Sequence, residues 1–365
     1  FGSMLPIPAF YPAPRPFRTM TASRWTALSR RLAPRWTRGC AALCLGAAVA
    51  VPLVPRRNAT TARCQGELRS LFPEIEARHK GRLETKDGSC SLYYEVSGNP
   101  KGKVALFLHG GPGDGCSPKH RRLFDPEAFC IVIFDQRGAG QSTPPGFNQH
   151  NKTEFLVQDI EQLREHLGFS AWDLIVGGSW GSTLALAYAT KFPQLVKALV
   201  LYSIFIPSQE SIDFVYSPQG AGLFFPEAYE SFVKALPADE RSNLIGSYAK
   251  RLDSPDLEVR RAALSSYLRW VLRLLSVAPD EAVIEEIAQQ PDDGCGPSIE
   301  MNYMANGCFM DAEQLLADCF QIGHIPCTIL HGRNDLICPP ANAWLLRQRL
   351  PLAQLKMVPL AGHSS

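Results

Sequence analysis

Short, almost unbroken apolar runs recur along this chain, each of strand length rather than helix length. They are residues 104–108 (VALFL), 130–134 (CIVIF), 173–176 (DLIV), 198–202 (ALVLY) and 327–330 (CTIL), with a last short one at 355–358 (LKMV). A strand with no polar face is buried on both sides, the condition of a parallel sheet covered by helices. Residues 91–96 (SLYYEV) instead alternate, and a turn signal, Gly98-Asn99-Pro100, follows them. Helical spacing lies between the runs, as at 153–167, where Phe155, Leu156, Ile160, Leu163 and Leu167 recur, and at 183–192. Strand and helix in alternation with short links predict a doubly wound, mostly parallel α/β sheet. From 208 to about 318 the strand runs cease. Residues 226–236, 239–251, 257–277 and 280–289 read as helices, so a helical lid is expected as an insertion.

The chain has 365 residues, enough for one large core and an inserted subdomain. Its net charge of +2 hides an asymmetry. Residues 1–66 hold ten arginines, no lysine and no acid, which leaves 27 basic and 35 acidic residues in the rest. An acidic body argues against a nucleic-acid partner. The basic, Pro-rich leader reads as a targeting segment outside the fold. It includes the apolar stretch 41–54 (AALCLGAAVAVPLV), which contains Pro52 and is short of the roughly 20 residues of a spanning helix. Three readings stay open for it: a plastid or mitochondrial transit peptide, a secretory signal or signal anchor, and an untranslated leader, since Met first occurs at Met4 and Met20. Without the first reading the protein is expected in the cytoplasm, and no stable membrane insertion is expected after processing. The eleven cysteines include no C-x-x-C pair and read as reduced, small core residues. No zinc, phosphate-loop or dinucleotide motif is present, so no metal or cofactor is expected.

The domain reading is therefore a targeting segment at 1–66, a first core portion at 67–207, the lid at 208–318 and a second core portion at 319–365. Within the core, Gly177-Gly178-Ser179-Trp180-Gly181 joins a buried strand to an Ala/Leu-rich helix. A G-x-S-x-G in that context is a nucleophile elbow, whose sharp turn leaves no room for side chains at the two glycines. It predicts the α/β-hydrolase fold with Ser179 as nucleophile. His109-Gly110-Gly111-Pro112-Gly113 follows another buried strand, and the oxyanion-hole donors expected are the N–H groups of Gly111 and Trp180. His109 itself reads as structural. The order nucleophile, acid, histidine selects Asp335, after the run at 327–330, and His363, after the last run. His324 and His331 precede the acid and are rejected as bases. The segment 135–142 (DQRGAGQS) reads as a loop near the site. Chain ends fray unless tied down, so His363, two residues from the last, is expected to be loosely held.

Taken together, HGGPG at 109–113, LFDP at 123–126, FDQRGAGQS at 134–142, GGSWGSTLALAYA at 177–189 and GRNDLICP at 332–339 resemble the proline iminopeptidase (prolyl aminopeptidase) family, from about Leu71 onward. The resemblance implies a metal-free serine peptidase that removes an N-terminal residue, usually proline, from small peptides with a free N-terminus. It implies that a lid acid at Glu300 holds the substrate α-amine and that Phe205 belongs to the proline pocket. This chain departs from the family at Val271, where a second lid glutamate is expected, and at Met304, where an aromatic is expected. Members also continue past the catalytic histidine with a C-terminal helix, so the chain is expected to be a truncated piece. An esterase or amidase of other specificity, and a non-catalytic binding relative, stand as alternatives. The sequence leaves the oligomeric state open.

Overall fold

The computed structural model describes residues 71–291 and 294–364, so the stretch 1–66, expected from sequence to be a targeting segment, lies outside the described residues. Eight strands form one sheet: β1 Ala77–Glu84, β2 Ser91–Gly98, β3 Lys103–Leu108, β4 Phe129–Phe134, β5 Leu174–Gly178, β6 Leu199–Tyr202, β7 Cys327–Gly332 and β8 Gln354–Val358. Their order is β1-β2-β4-β3-β5-β6-β7-β8. The first two ladders are antiparallel, and from β4 to β8 every pair is parallel. Every residue of β4 after Phe129 is buried, and β3 is buried from Ala105 to Leu108. An unbroken apolar run thus stands where helices or loops cover both faces. Beside β5 and β3 packs α2, Trp180–Lys191, buried over nearly its whole length, and α1, Thr153–His166, packs against α2.

Between β6 and β7 the described chain holds helices and no strand: α3 Gln209–Tyr216, α4 Pro226–Lys234, α5 Leu244–Leu252, α6 Leu257–Leu274, α7 Glu281–Gln289, α8 Cys295–Ala305 and α9 Ala312–Asp318, joined by loops and short 3-10 turns. A last helix, α10 Pro340–Arg349, links β7 to β8. Side-chain caps set several of these starts: Asp256 accepts from Glu258 and Val259 N–H groups, Asp280 from Ala282 and Val283, Asp311 from Glu313 and Gln314. The stretch read as one helix at 239–251 is two elements, because Asn243 caps α5 and leaves Ala238–Asn243 as a 3-10 turn. The helix expected to reach Val277 stops at Leu274, and the Leu275 carbonyl accepts instead from Ser364 N–H at 2.9 Å. The helical insertion and the sheet share one apolar core, in which Phe232, Tyr248 and Trp270 stack. Among the described residues no helix is long and apolar enough to cross a membrane.

One buried charge cluster pins the polar loop after β4. Arg137 makes paired bonds to Asp159 of α1, at 2.7 and 2.8 Å, and reaches Asp87 at 2.7 Å. Both Arg137 and Asp159 are only 2 % exposed, so neither charge has water to fall back on. Removing one partner of such a pair strands the other. Arg137→Leu is expected to lower unfolding free energy in urea by about 3–5 kcal/mol. Lys197→Ala, which breaks the surface pair to Asp173, is expected to change it by less than about 1 kcal/mol.

Candidate active site

Strand β5 turns into α2 at Ser179, whose backbone sits at φ 55°, ψ −126°. That conformation is rare for a residue with a Cβ and survives only where the surroundings hold it. Here the neighbours approach backbone to backbone. A Cβ on Gly177 would lie 2.2 Å from the Gly181 oxygen, and one on Gly181 would lie 2.2 Å from the Leu108 oxygen. A side chain on Gly178 would strike the Tyr202 ring at 2.0 Å. Ser179 stays partly accessible while Trp180 is buried beside it.

Loop 109–115 lies against this turn. Gly111 takes φ +101°, and a Cβ on Gly110 would come within 3.4 Å of Ser179 Cβ. Trp180 opens α2, where N–H groups have no intrahelical acceptor. Among the described residues no hydrogen bond engages the N–H of Gly111 or Trp180. The loop read from sequence as merely near the site does more than that. Gln136 Nε2 donates to the His109 carbonyl at 3.0 Å, and Gln136 Oε1 accepts from Trp180 Nε1 at 2.9 Å. Gln136 therefore ties the glycine loop to the start of α2. His109 is buried, its Nε2 accepts from Gln136 N–H at 3.0 Å, and burial drives its pKa down to about 4. It is a neutral structural ring.

Asp335 follows β7, and its carboxylate receives His363 Nδ1 at 2.9 and 3.1 Å. The N–H groups of Ile337 and Cys338 also donate to it, at 2.9 and 2.8 Å. Burial disfavours a charged His363, yet the adjacent Asp335 carboxylate outweighs it and carries the imidazole well above its ordinary value. No hydrogen bond joins Ser179 to His363 among the described residues. The thiol of Cys338 is within bonding reach of both, and bonds of this kind commonly close only with substrate in place. His331 is occupied elsewhere, accepting from Ile204 N–H at 2.9 Å and facing the Cys338 carbonyl at 2.8 Å, and His324 is exposed before β7. Contrary to a frayed end, Ser203 Oγ donates to the His363 carbonyl at 3.1 Å and Ser364 N–H bonds to Leu275. Asp335, Cys338 and His363 bring oxygen, sulfur and nitrogen within 4.8 Å of one another. Burial pushes the Cys338 thiol up.

Helix α8 closes the other side. Tyr303 packs edge-on against Trp180 at 5.0 Å, and a Cβ on Gly113 would meet the Gly296 oxygen at 2.7 Å, so the helical insertion touches the glycine loop directly. Glu300 accepts from Tyr216 Oη at 3.1 Å, and Tyr267 also donates to it. Burial, reinforced by the nearby Asp114 carboxylate, nonetheless pushes Glu300 up to about 7. Val271 stands one turn beyond Tyr267 on α6, and Val271 and Met304 both pack half-buried on the main core. Phe205 is buried after β6, its N–H bonded to Ser182 Oγ and its carbonyl to Thr183. Sequence reading passed over Asp114, Tyr216, Tyr267, Cys338 and Gln136. Gln136 and Cys338 lie inside the motifs at 134–142 and 332–339, and Tyr267 begins the stretch that runs to Val271, but none of the three carries a sign of its role there.

A family model for the α/β hydrolase fold matches residues 104–365. A proline iminopeptidase of Arabidopsis thaliana is 44 % identical, covering 81 % of this chain and 78 % of its own length. One from Xylella fastidiosa (strain Temecula1) is 43 % identical over 82 % of this chain and 95 % of its own. Among solved structures, a thermophilic esterase from Thermogutta terrifontis superposes with a TM-score of 0.55 at 22 % identity, covering 78 % of this chain and 92 % of that one, a likeness of fold alone. The contacts at Ser179 yield a stability and reactivity test. Gly181→Ala is expected to lose at least about 1–3 kcal/mol by overpacking and to abolish fluorophosphonate labelling of Ser179. Gly88→Ala, with nothing within 4 Å and only its φ of +68° to strain, is expected to cost about 1–2 kcal/mol and to label normally.

Proposed function

Because the chain belongs to the proline iminopeptidase family of the α/β-hydrolase fold, we propose that it is a serine aminopeptidase that releases an N-terminal residue, preferably proline, from small peptides. What supports this reading is Glu300, a carboxylate of α8 that accepts from Tyr216 Oη, on the same helix whose Tyr303 packs against Trp180 beside Ser179. A peptidase that trims one residue must recognise an ammonium group next to the scissile carbonyl, and a partly dry ammonium needs an anion.

In this mechanism Ser179 Oγ attacks the carbonyl carbon of the first residue while its proton passes to His363 Nε2. Asp335 fixes the ring through Nδ1 and stabilises the imidazolium. The N–H groups of Gly111 and Trp180 receive the developing oxyanion, which costs little reorganisation because neither has another partner. His363 then returns the proton to the departing nitrogen as the C–N bond breaks, leaving an acyl-serine. Water attacks that ester with His363 again as base, and the free amino acid and Ser179 are regenerated. Phe205 contributes to the apolar wall for the proline ring. For the leader, ten arginines without an acid support delivery to a plastid or mitochondrion, and the free cysteines of the described chain fit a reducing compartment.

Ser179→Ala is expected to reduce turnover of Pro-naphthylamide by about 10⁴-fold or more without loss of fold. Retention within tenfold of wild type would exclude Ser179. The base acts only when neutral and its pKa is raised, so kcat/KM is expected to climb with pH through a value above the ordinary 6.5. Glu300→Gln is expected to remove roughly 2–4 kcal/mol from kcat/KM for free-amine substrates while N-acetyl-proline substrates, already poor, change little. Equal cleavage of free and blocked substrates, with simple acyl esters faster than both, would replace the aminopeptidase with an esterase.

A further inference from the structure

The family pattern expects two lid carboxylates around the substrate amine, and this chain has Val271 where the second would stand. The cleft nevertheless holds a second acid that comes from the sheet side. Asp114 ends the HGGPG loop, is exposed to the cleft, and its carboxylate accepts no hydrogen bond from the described residues. Its placement is close. The position that a Cβ on Gly110 would take lies 3.1 Å from Asp114 Oδ2 and 3.4 Å from Ser179 Cβ. The neighbouring Gly113 touches Gly296 in the first turn of α8, the helix that carries Glu300. On α6, Val271 is one turn from Tyr267, which donates to Glu300.

We propose that Asp114 supplies the carboxylate missing at Val271, and that the substrate's α-ammonium is held between Asp114 on the glycine loop and Glu300 on the lid. This rests on the aminopeptidase reading. The α-nitrogen of a substrate is about 2.5 Å from the carbonyl carbon under attack. An acid bonded to it at about 2.8 Å must therefore lie within roughly 5–6 Å of that carbon. Asp114 Oδ2 and Ser179 Cβ lie 3.1 and 3.4 Å from one position beside Gly110, so a single substrate residue can reach both. The energetics agree. The Asp114 and Glu300 carboxylates repel one another across the cleft. An arriving cation relieves both, whereas an N-acylated substrate brings no charge and relieves neither. A free carboxylate this near the oxyanion donors would otherwise oppose the developing negative charge. A bound ammonium cancels that opposition, so one arrangement both attracts the amine and penalises its absence.

The test compares kcat/KM for Pro-naphthylamide, N-acetyl-Pro-naphthylamide and a p-nitrophenyl acyl ester in the full chain, in Asp114→Asn, and in Asp114→Asn combined with Val271→Glu. Asp114→Asn is expected to lower the ratio of free-amine to blocked turnover by about tenfold or more, chiefly through KM, as for one charge-assisted hydrogen bond. Val271→Glu in that background is expected to restore much of it, which a merely structural aspartate would not allow. An unchanged ratio in Asp114→Asn, or a common loss on all three substrates, overturns the assignment of Asp114 while leaving the aminopeptidase reading in place. A wild-type chain with no preference for the free amine overturns both. Fluorophosphonate labelling separates an unfolded variant from an impaired one.

Discussion

Everything at this site depends on how closely three backbone segments approach one another beneath Ser179. Strand β5, the first turn of α2 and the end of β3 meet at distances that exclude a Cβ on Gly177 or Gly181. That contact sets the positive φ of Ser179 and aims the first N–H groups of α2 at the glycine loop. Gln136 then fastens the indole of Trp180 to the carbonyl of His109, so loop and helix cannot drift apart. The polar segment after β4 is itself anchored by the buried Arg137–Asp159 pair. A chain of rigid contacts thus runs from α1 to the oxyanion donors, and the preorganisation on which such catalysis depends is built from packing rather than from any one strong bond.

The cleft above that frame is electrostatically costly. Glu300 titrates near 7 rather than 4.5 because burial and Asp114 disfavour its charge. In the folded chain it holds its proton more tightly than when unfolded. Its contribution to stability is present in full below about 4.5 and is lost as the pH rises through about 7. The ionised acid needed to bind an amine is therefore carried at the expense of the fold. Tyr216 and Tyr267 temper this by donating to Glu300, and both phenols are themselves held protonated by burial and by the acid they serve.

How much was legible in the sequence follows from physics local to each segment. Strands β3 to β7 announce themselves because burial on both faces demands unbroken apolar runs. The elbow was readable because sterics leave glycine as the sole tolerable residue at two positions. Strand β1 was not, since Arg78, Lys80 and Arg82 point outward from an edge and leave only Leu83 buried; such charges guard an open edge against pairing with another chain. Helix α8 escaped too. It starts with Gly296-Pro297 and buries Ser298, Ile299, Met301 and Tyr303 on several sides, so no single apolar stripe marks it. Asp114, Tyr216 and Tyr267 carry no signal of spacing at all. Their shared cleft arises only when loop, α3 and α6 converge on α8.

One modest bond joins two parts that sequence reading treats separately. Ser364 N–H donates to the Leu275 carbonyl, the residue that terminates α6, while His363 is the preceding residue. The imidazole and the long lid helix are thereby leashed to each other through a single peptide unit. Their fluctuations are not independent. The position of the helix end and the alignment of Asp335 with His363 are thus constrained together. Substitutions far from the cleft, at the end of α6, will then alter turnover by changing how often the base is in register, with every reacting group left untouched.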